Sequence, residues 1–371
     1  MQKYNFMLKQ QKIFFDFLRF CFGSAKEIPD SLKKADWKEL YAIAQKQALL
    51  GVLFHGIRRL PKKLAPEQKL LMQWMAMAEM IRKQNIKLFQ DSVKVCQNFE
   101  NEGFANCILK GQGNALLYPD PYMRTPGDID IYLSGGRRKI MKYVNQVCPN
   151  QVMRYHHVDF PVMKTAIEVH FTPSYMFFPV HNRRMQKWFG KVMDLQCSNV
   201  VTLPDGYGEI TVPTMSFNVI YILSHLYRHV FTEGIGLRQL IDYYFVLVKS
   251  EERRVMNQTA LQRELKYLGL WKFAGAVMYV LHETLGLPEE KMIAPINVNE
   301  GRFLLAEIMQ GGNFGQYDTR LGSKEHEGKL HRYFRMNLRN LRFVKHYPKE
   351  ALSEPLFRTW FALWKKIHGI R

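Results

Sequence analysis

The chain has little of what staples or anchors a protein. Five cysteines in 371 residues (Cys21, Cys96, Cys107, Cys148 and Cys197) form an odd, scattered set with no Cys-x-x-Cys pair. That argues against a disulfide framework and a structural zinc site, and fits a reducing, cytoplasmic setting. No run approaches the roughly 18 uninterrupted apolar residues of a membrane span. The best candidate, Phe217 to Leu223, meets His225 and Arg228 about a helical turn later. Acids are scarce: 33 Asp+Glu face 53 Lys+Arg, a net charge of 53 − 33 = +20, so an anionic partner is expected. Also missing are a Gly-x-x-x-x-Gly-Lys-Ser/Thr loop, a His-Glu-x-x-His helix, a Gly-x-Ser-x-Gly elbow and a Rossmann glycine fingerprint.

What is present is an ordinary globular balance, 47% hydrophobic and 23% charged, at a length that suggests two domains or three modules. Near the N-terminus Ile13, Phe14, Phe17, Leu18 and Cys21 recur at helical spacing, with Asp16 and Arg19 between them. That pattern is an amphipathic helix of the mature protein, not a signal peptide.

The chain reads in three parts. Residues 1–103 are helical, with an apolar stripe from Trp37 to Val52. A second helix starts near Pro66 and runs toward Phe99, with Gly103 as its stop. Residues 104–213 change character: β-like runs at Ala105–Leu109, Ile129–Leu133, Met153–Phe160, Ala166–Phe171 and Ile210–Val212 are separated by glycine and proline. Residues 214–371 return to helical period, from Phe217 to Val230, Leu237 to Val248 and Leu261 to Leu285. A loop at Gly311-Gly312-Asn313-Phe314-Gly315 follows, and then one or two basic helices from Leu330 to Arg371. The expected fold class is α+β: a small mixed-sheet core flanked by N-terminal and C-terminal helical regions.

The chemistry concentrates between Lys110 and Leu133. Asp128 and Asp130 alternate with Ile129 and Ile131, and on a strand residues i and i+2 share a face. Two carboxylates about 7 Å apart on one face repel each other and are poor strand formers. A cation offsets that, and hard divalent ions take oxygen ligands and bridge phosphates. Glu168, between Ile167 and Val169, is a third acid opposite the apolar face, with Asp159 as its rival; His170 shares the face of Glu168. Upstream, Gly111 and Gly113 join the strand at Cys107–Leu109 to a helix at Asn114–Tyr118, a turn that exposes N–H groups to an anion, with Lys110 adding charge. Together these are parts for a two-metal displacement at phosphorus.

A glycine turn, then Asp-x-Asp, then a later acid resembles the DNA polymerase β-like nucleotidyltransferase superfamily. The wider pattern is closest to the uncharacterised bacterial nucleotidyltransferase-like family. It takes in Trp37–Val52, the Lys110-Gly111 start, Arg124, Asp128-Ile-Asp130, Ile167–His170 and Gly236-Leu-Arg238…Asp242. The resemblance implies that Asp128, Asp130 and Glu168 bind Mg²⁺ or Mn²⁺ and carry catalysis. It implies that Gly111 and Gly113 form the nucleotide-phosphate turn; beside it Lys110 is either a nucleotide contact or a solvated flank, and Arg124 is a candidate nucleotide contact. The usual turn reads Gly-Ser or Gly-Gly, whereas this one reads Gly111-Gln112-Gly113. The implied activity moves a nucleoside monophosphate from a nucleoside triphosphate to an acceptor hydroxyl of a small molecule, a protein or an RNA end, with release of pyrophosphate.

Other features have two readings each. Arg124 meets either phosphate or Asp120. His170 either packs or orients Glu168. Arg238 and Asp242, at i and i+4, form either a salt bridge or part of an acceptor pocket. His225 and His229, also four apart, read as helix packing, since no third zinc-type ligand accompanies them. Arg332, Arg335, Arg339 and Arg342 line one helical face, and residues 320–371 carry 13 Lys+Arg against 4 Asp+Glu. That face is either solvated or meets a nucleic acid, while Phe334, Phe343 and Tyr347 pack the core. A non-catalytic nucleotide- or nucleic-acid-binding module is the alternative function, and a phosphodiesterase or nuclease using the same acids is a third.

Overall fold

The computed structural model describes residues 2–252, 257–322 and 328–368. The chain opens with α1 (Gln2–Phe22), α2 (Trp37–Lys46), α3 (Leu50–Ile57) and the long α4 (Gln68–Asn101). On α1 the stripe of Ile13, Phe14, Phe17, Leu18 and Cys21 is buried. Asp36 caps α2 by accepting from the amides of Lys38 and Glu39. The stripe expected from Trp37 to Val52 is two helices, because Ala48 takes a positive φ of 57° and breaks the run.

The middle of the chain gives β1 (Asn106–Ile108), α5 (Gln112–Ala115), β2 (Ile129–Leu133), α6 (Gly136–Val147), β3 (His157–Asp159), β4 (Ile167–His170), α7 (Pro179–Gln196), β5 (Val200–Thr202) and β6 (Glu209–Thr211). One sheet runs β1-β2-β4-β3, and β5 and β6 pair separately. β2 is antiparallel to β1 and parallel to β4, while β3 is antiparallel to β4. The crossover from β2 back to its parallel neighbour carries α6, which a parallel pair requires. The sequence reading missed α6, α7 and β5. The expected strand Met153–Phe160 is shorter, with Met153 reduced to an isolated bridge to Val158.

The remaining elements are α8 (Met215–Thr232), α9 (Leu237–Glu252), α10 (Gln258–Tyr267), α11 (Trp271–Leu285), α12 (Val298–Gly311), α13 (Lys329–Val344) and α14 (Pro348–Ile367). The run expected from Leu261 to Leu285 divides at Gly269, whose φ of +77° leaves no helix to continue and whose missing Cβ makes room for His181. Residues 369–371 of the expected basic tail lie outside the described residues. Together the elements make an α+β fold with a small mixed sheet among helices. Among the described residues no helix is long and apolar enough to cross a membrane.

Two apolar cores hold this arrangement. The C-terminal half of α4, the sheet and α6 enclose one, around Phe89, Phe99, Ile129, Ile131 and Val169. Helices from both ends of the chain share the other, where Phe14 and Phe17 of α1 join Leu281 and Leu285 of α11. Every residue of α8 from Phe217 to Phe231 is buried. A helix apolar on all sides is a core helix, and α8 carries His225, Arg228 and His229 inward with it.

The arginine face expected on α13 runs from an exposed Arg332 to a buried Arg339. Arg339 is buried, and Arg342 pairs with Asp318 at 3.1 Å. Leu330, Phe334, Leu338 and Leu341 are exposed on that helix alongside His331 and Arg332, so Phe334 does not pack the core, whereas Phe343 and Tyr347 do. The helical period holds, and the arginine face turns inward only toward its C-terminal end.

Candidate active site

β2 sits between β1 and β4, and its apolar residues Ile129 and Ile131 are fully buried. Asp130 therefore projects from the other face, with Asp128 just before the strand. The β2–β4 register sets Asp130 opposite Glu168, and the β4–β3 register sets Glu168 opposite Asp159. Three acids thus share a row across three strands. Glu168 is the neighbour of Asp130; Asp159 stands one strand farther out.

Asp130 is saturated. Lys110 Nζ lies 2.8 Å from Oδ2 and His170 Nε2 lies 2.9 Å from Oδ1. Burial alone would raise its pKa, but Lys110 and the His170 hydrogen bond outweigh burial and hold the carboxyl well below the usual range. His170 is 3.6 Å from Glu168, so it serves Asp130 first. Burial would lower the His170 pKa, yet its bonds to Asp130 and Glu168 raise it. His157, which the sequence reading did not single out, meets Glu168 Oε2 through Nδ1 at 3.0 Å. Burial, then the charge of His170, push His157 down to about 3, so it is a neutral imidazole. Burial also opposes ionisation of Glu168, but the contacts to His170 and His157 leave it below the normal range. Asp128 goes the other way: the charge of Asp130, then burial, push it up to about 6.

These carboxylates open on a cavity of about 420 Å³ that Lys110, Gly111 and Arg124 also line. Gly111 adopts φ +61°, a conformation L side chains avoid. Gly113 does not reach the cavity; a Cβ there would lie 2.8 Å from Val212 Cγ1, so its glycine serves packing against the residue after β6. The helix at the turn is only Gln112–Ala115, shorter than expected and shifted toward the N-terminus.

Arg124 lines the cavity but does not meet Asp120. It grips Asp242 through two bonds, Nε to Oδ1 and Nη2 to Oδ2, both 2.8 Å, and Tyr118 donates to the same carboxylate at 2.7 Å. Asp120 instead caps the amide of Tyr122. The Arg238–Asp242 salt bridge expected from i,i+4 spacing does not form within 4.0 Å; Arg238 Nη1 donates to the Thr125 carbonyl at 2.6 Å. Asn85 holds the same loop by donating to the carbonyls of Tyr122 and Arg124. Asp242 is buried behind Arg124 and does not line the cavity, whereas Arg238 does.

The C-terminal helices add lining residues that the sequence reading left aside: Arg228 and His229 on α8, and Asn313 and Phe314 in the glycine loop. For Arg228 the one sequence signal was a charged residue inside an otherwise apolar helical run.

The residues suit a divalent cation. Asp130 and Glu168 supply hard oxygen donors, and the charge of Asp130 that raises Asp128 nearby is what a bound cation would relieve. Among the described residues, ligand atoms of Asp130, Glu168 and His170 lie within 4.8 Å of one another, as do those of His157, Asp159 and Glu168.

No curated protein matches the chain. Among solved structures, an antigenic nucleotidyltransferase-like protein from Paracoccidioides brasiliensis is similar at 14% identity, covering 57% of this chain and 94% of that one with a TM-score of 0.36. A family described as uncharacterised nucleotidyltransferase matches residues 33–286. The matched span runs from just before α2 through α11 and takes in the sheet, the carboxylates and the Arg124 clamp; the glycine loop with Phe314 lies beyond it. A match over more than half of its length makes this chain a member of the uncharacterised nucleotidyltransferase family.

Proposed function

We propose that the chain moves a nucleoside monophosphate from a nucleoside triphosphate to an acceptor hydroxyl and releases pyrophosphate. The observation that carries this reading is the register pairing of Asp130 with Glu168 beside Asp128, on the floor of a cavity large enough for a nucleotide. Asp128, Asp130 and Glu168 are the residues that would hold Mg²⁺ or Mn²⁺. Such an ion, when bound, neutralises phosphate charge and acidifies the attacking hydroxyl.

The chain's own residues have separable tasks. Lys110 and His170 fix the two oxygens of Asp130, so its orientation is set before any ligand arrives. His157 does the same for Glu168. Asp128 has the highest proton affinity of the three and is the carboxylate suited to take the proton of the acceptor hydroxyl. The acceptor oxygen then bonds to the α-phosphorus as the bond from that phosphorus to the β-phosphate oxygen breaks, and pyrophosphate leaves. Lys110, Gly111 and Arg124 border the space the nucleotide would fill. Acceptors open to this reading are a small molecule, a protein side chain and an RNA end. The five free cysteines suit a reducing, cytoplasmic setting.

A second reading keeps the cavity as a nucleotide-binding module without transfer. Lys110 Nζ on Asp130 favours it, because a cation already stands against that carboxylate. Incubation with the four nucleoside triphosphates and Mn²⁺, followed by mass spectrometry of the protein and of small-molecule products, separates the two. Transfer predicts a nucleotidylated product and pyrophosphate from the wild type, and neither from Asp128→Asn or Asp130→Asn. Nucleotide retained without product selects the binding module. Neither product nor binding sinks both.

A further inference from the structure

Among the described residues, two guanidinium groups in the cavity form no ion pair. Arg228 on α8 is 9% exposed and Arg238 on α9 is 8% exposed, and among the described residues no carboxylate oxygen lies within 4.0 Å of either. Arg228 Nη2 meets His229 Nε2 at 2.9 Å and His225 Nδ1 at 3.4 Å, and its guanidinium stacks 5.3 Å from the Tyr175 ring centre. Burial keeps both imidazoles neutral, so they neither add to its charge nor cancel it. Glu233, the acid nearest along α8, is turned to His229 at 3.4 Å. Arg238 donates to the Thr125 carbonyl and lies 5.7 Å from the Phe314 ring centre. Asp242, one turn along its own helix, is taken by Arg124. Nε of both arginines is buried without a partner.

A buried charge without a partner is strongly unfavourable unless a ligand supplies one. The guanidinium fork matches phosphate oxygens two at a time. The glycine turn is a poor alternative here, since Gly113 is committed to Val212 and the helix after Gly111 is a single turn. We propose that Arg228 and Arg238 bind the polyphosphate of the nucleoside triphosphate, so that the donor lies along α8 and α9 and not in a cradle at Gly111–Gly113. This rests on the nucleotidyl-transfer reading and moves the phosphate contacts from the sheet side of the cavity to the helical side.

Calorimetric titration of the full chain with sodium tripolyphosphate and with ATP tests it. Wild type is expected to bind both probes in EDTA. Arg228→Gln and Arg238→Gln each weaken both at least tenfold. The Lys variants keep a cation, lose the fork and fall between, so the comparison survives if a Gln variant does not fold. On the unmodified protein, tripolyphosphate is expected to shield both arginines from phenylglyoxal, read by peptide mass spectrometry. Folded Arg variants that bind tripolyphosphate like wild type, or arginines left unshielded, overturn the assignment; ATP binding that still depends on Asp128 and added Mg²⁺ would then leave the transfer reading standing. If tripolyphosphate binds through both arginines but ATP gives no pyrophosphate with any acceptor, the phosphate site stands and the transfer reading falls. A wild type that binds neither probe ends both.

Discussion

Asp130 and Glu168 face each other across two neighbouring parallel strands. Strand neighbours in a sheet are about 4.8 Å apart, so that single register brings together two acids that sequence distance keeps apart. Lys110 supplies the counter-charge, and the cluster's behaviour depends on it.

Replacing Lys110 with Met leaves Asp130 with His170 alone and three acids on one floor. Loss of one partner of a buried ion pair removes about 3–5 kcal/mol. Urea midpoints in EDTA should fall accordingly, and Mg²⁺ should restore more stability to the variant than it adds to wild type. A variant indifferent to Mg²⁺ would speak against these carboxylates as ligands.

Asp128 makes the metal-free protein sensitive to pH. Its folded pKa, about 6, lies above the unfolded value of about 3.9. The folded state therefore binds more protons between those values, so this group's contribution is full below about pH 4 and is lost as pH rises through about 6. The loss is roughly 3 kcal/mol. In EDTA, Asp128→Asn should be more stable than wild type at pH 8 by up to about that amount and should show no advantage at pH 4, while transfer is abolished.

The Arg124–Asp242–Tyr118 clamp is the opposite case. Burial pushes Asp242 up, but Arg124 outweighs burial and holds it below the normal range, so its contribution is present above that range and is lost as pH falls through it. Asp242→Ala strands a buried guanidinium and should destabilise by about 3–5 kcal/mol, whereas Tyr118→Phe should lose only about 1 kcal/mol. Arg124→Met combined with Asp242→Leu should recover most of the Asp242→Ala loss. Denaturation midpoints of the four proteins decide it; a double variant as weak as the single one would show that the charge pair is not what holds the loop.

Gly113 separates packing from phosphate binding. An added Cβ would press on Val212, so Gly113→Ala should destabilise by about 1–3 kcal/mol, and a second change, Val212→Ala, should relieve part of it. ATP affinity in the double variant should match that of Val212→Ala alone. A specific loss of ATP affinity would return the turn to the nucleotide.

What could be read before any coordinates was local. β2 falls where the Asp-Ile alternation put it, and β4 one residue inside each expected end, because side chains on a strand alternate faces whatever lies around them. The stripe on α1 was legible for the same reason, with a period of 3.6 in place of 2. α6 and α7 were not, since their apolar residues are interspersed with basic ones and they lie between strand-like runs.

The sequence by itself determined that Asp130 stands opposite the buried isoleucines of one strand, with Asp128 two residues before it, and that Glu168 alternates in the same way on another. Only the tertiary structure decided that Lys110 and His170 share Asp130, that Asp242 belongs to Arg124 and not to Arg238, and that Arg228 and Arg238 are left over in the cavity. Periodicity fixes which way a side chain points within its own element. Which charge it meets depends on how distant elements pack, and burial makes that choice energetically decisive.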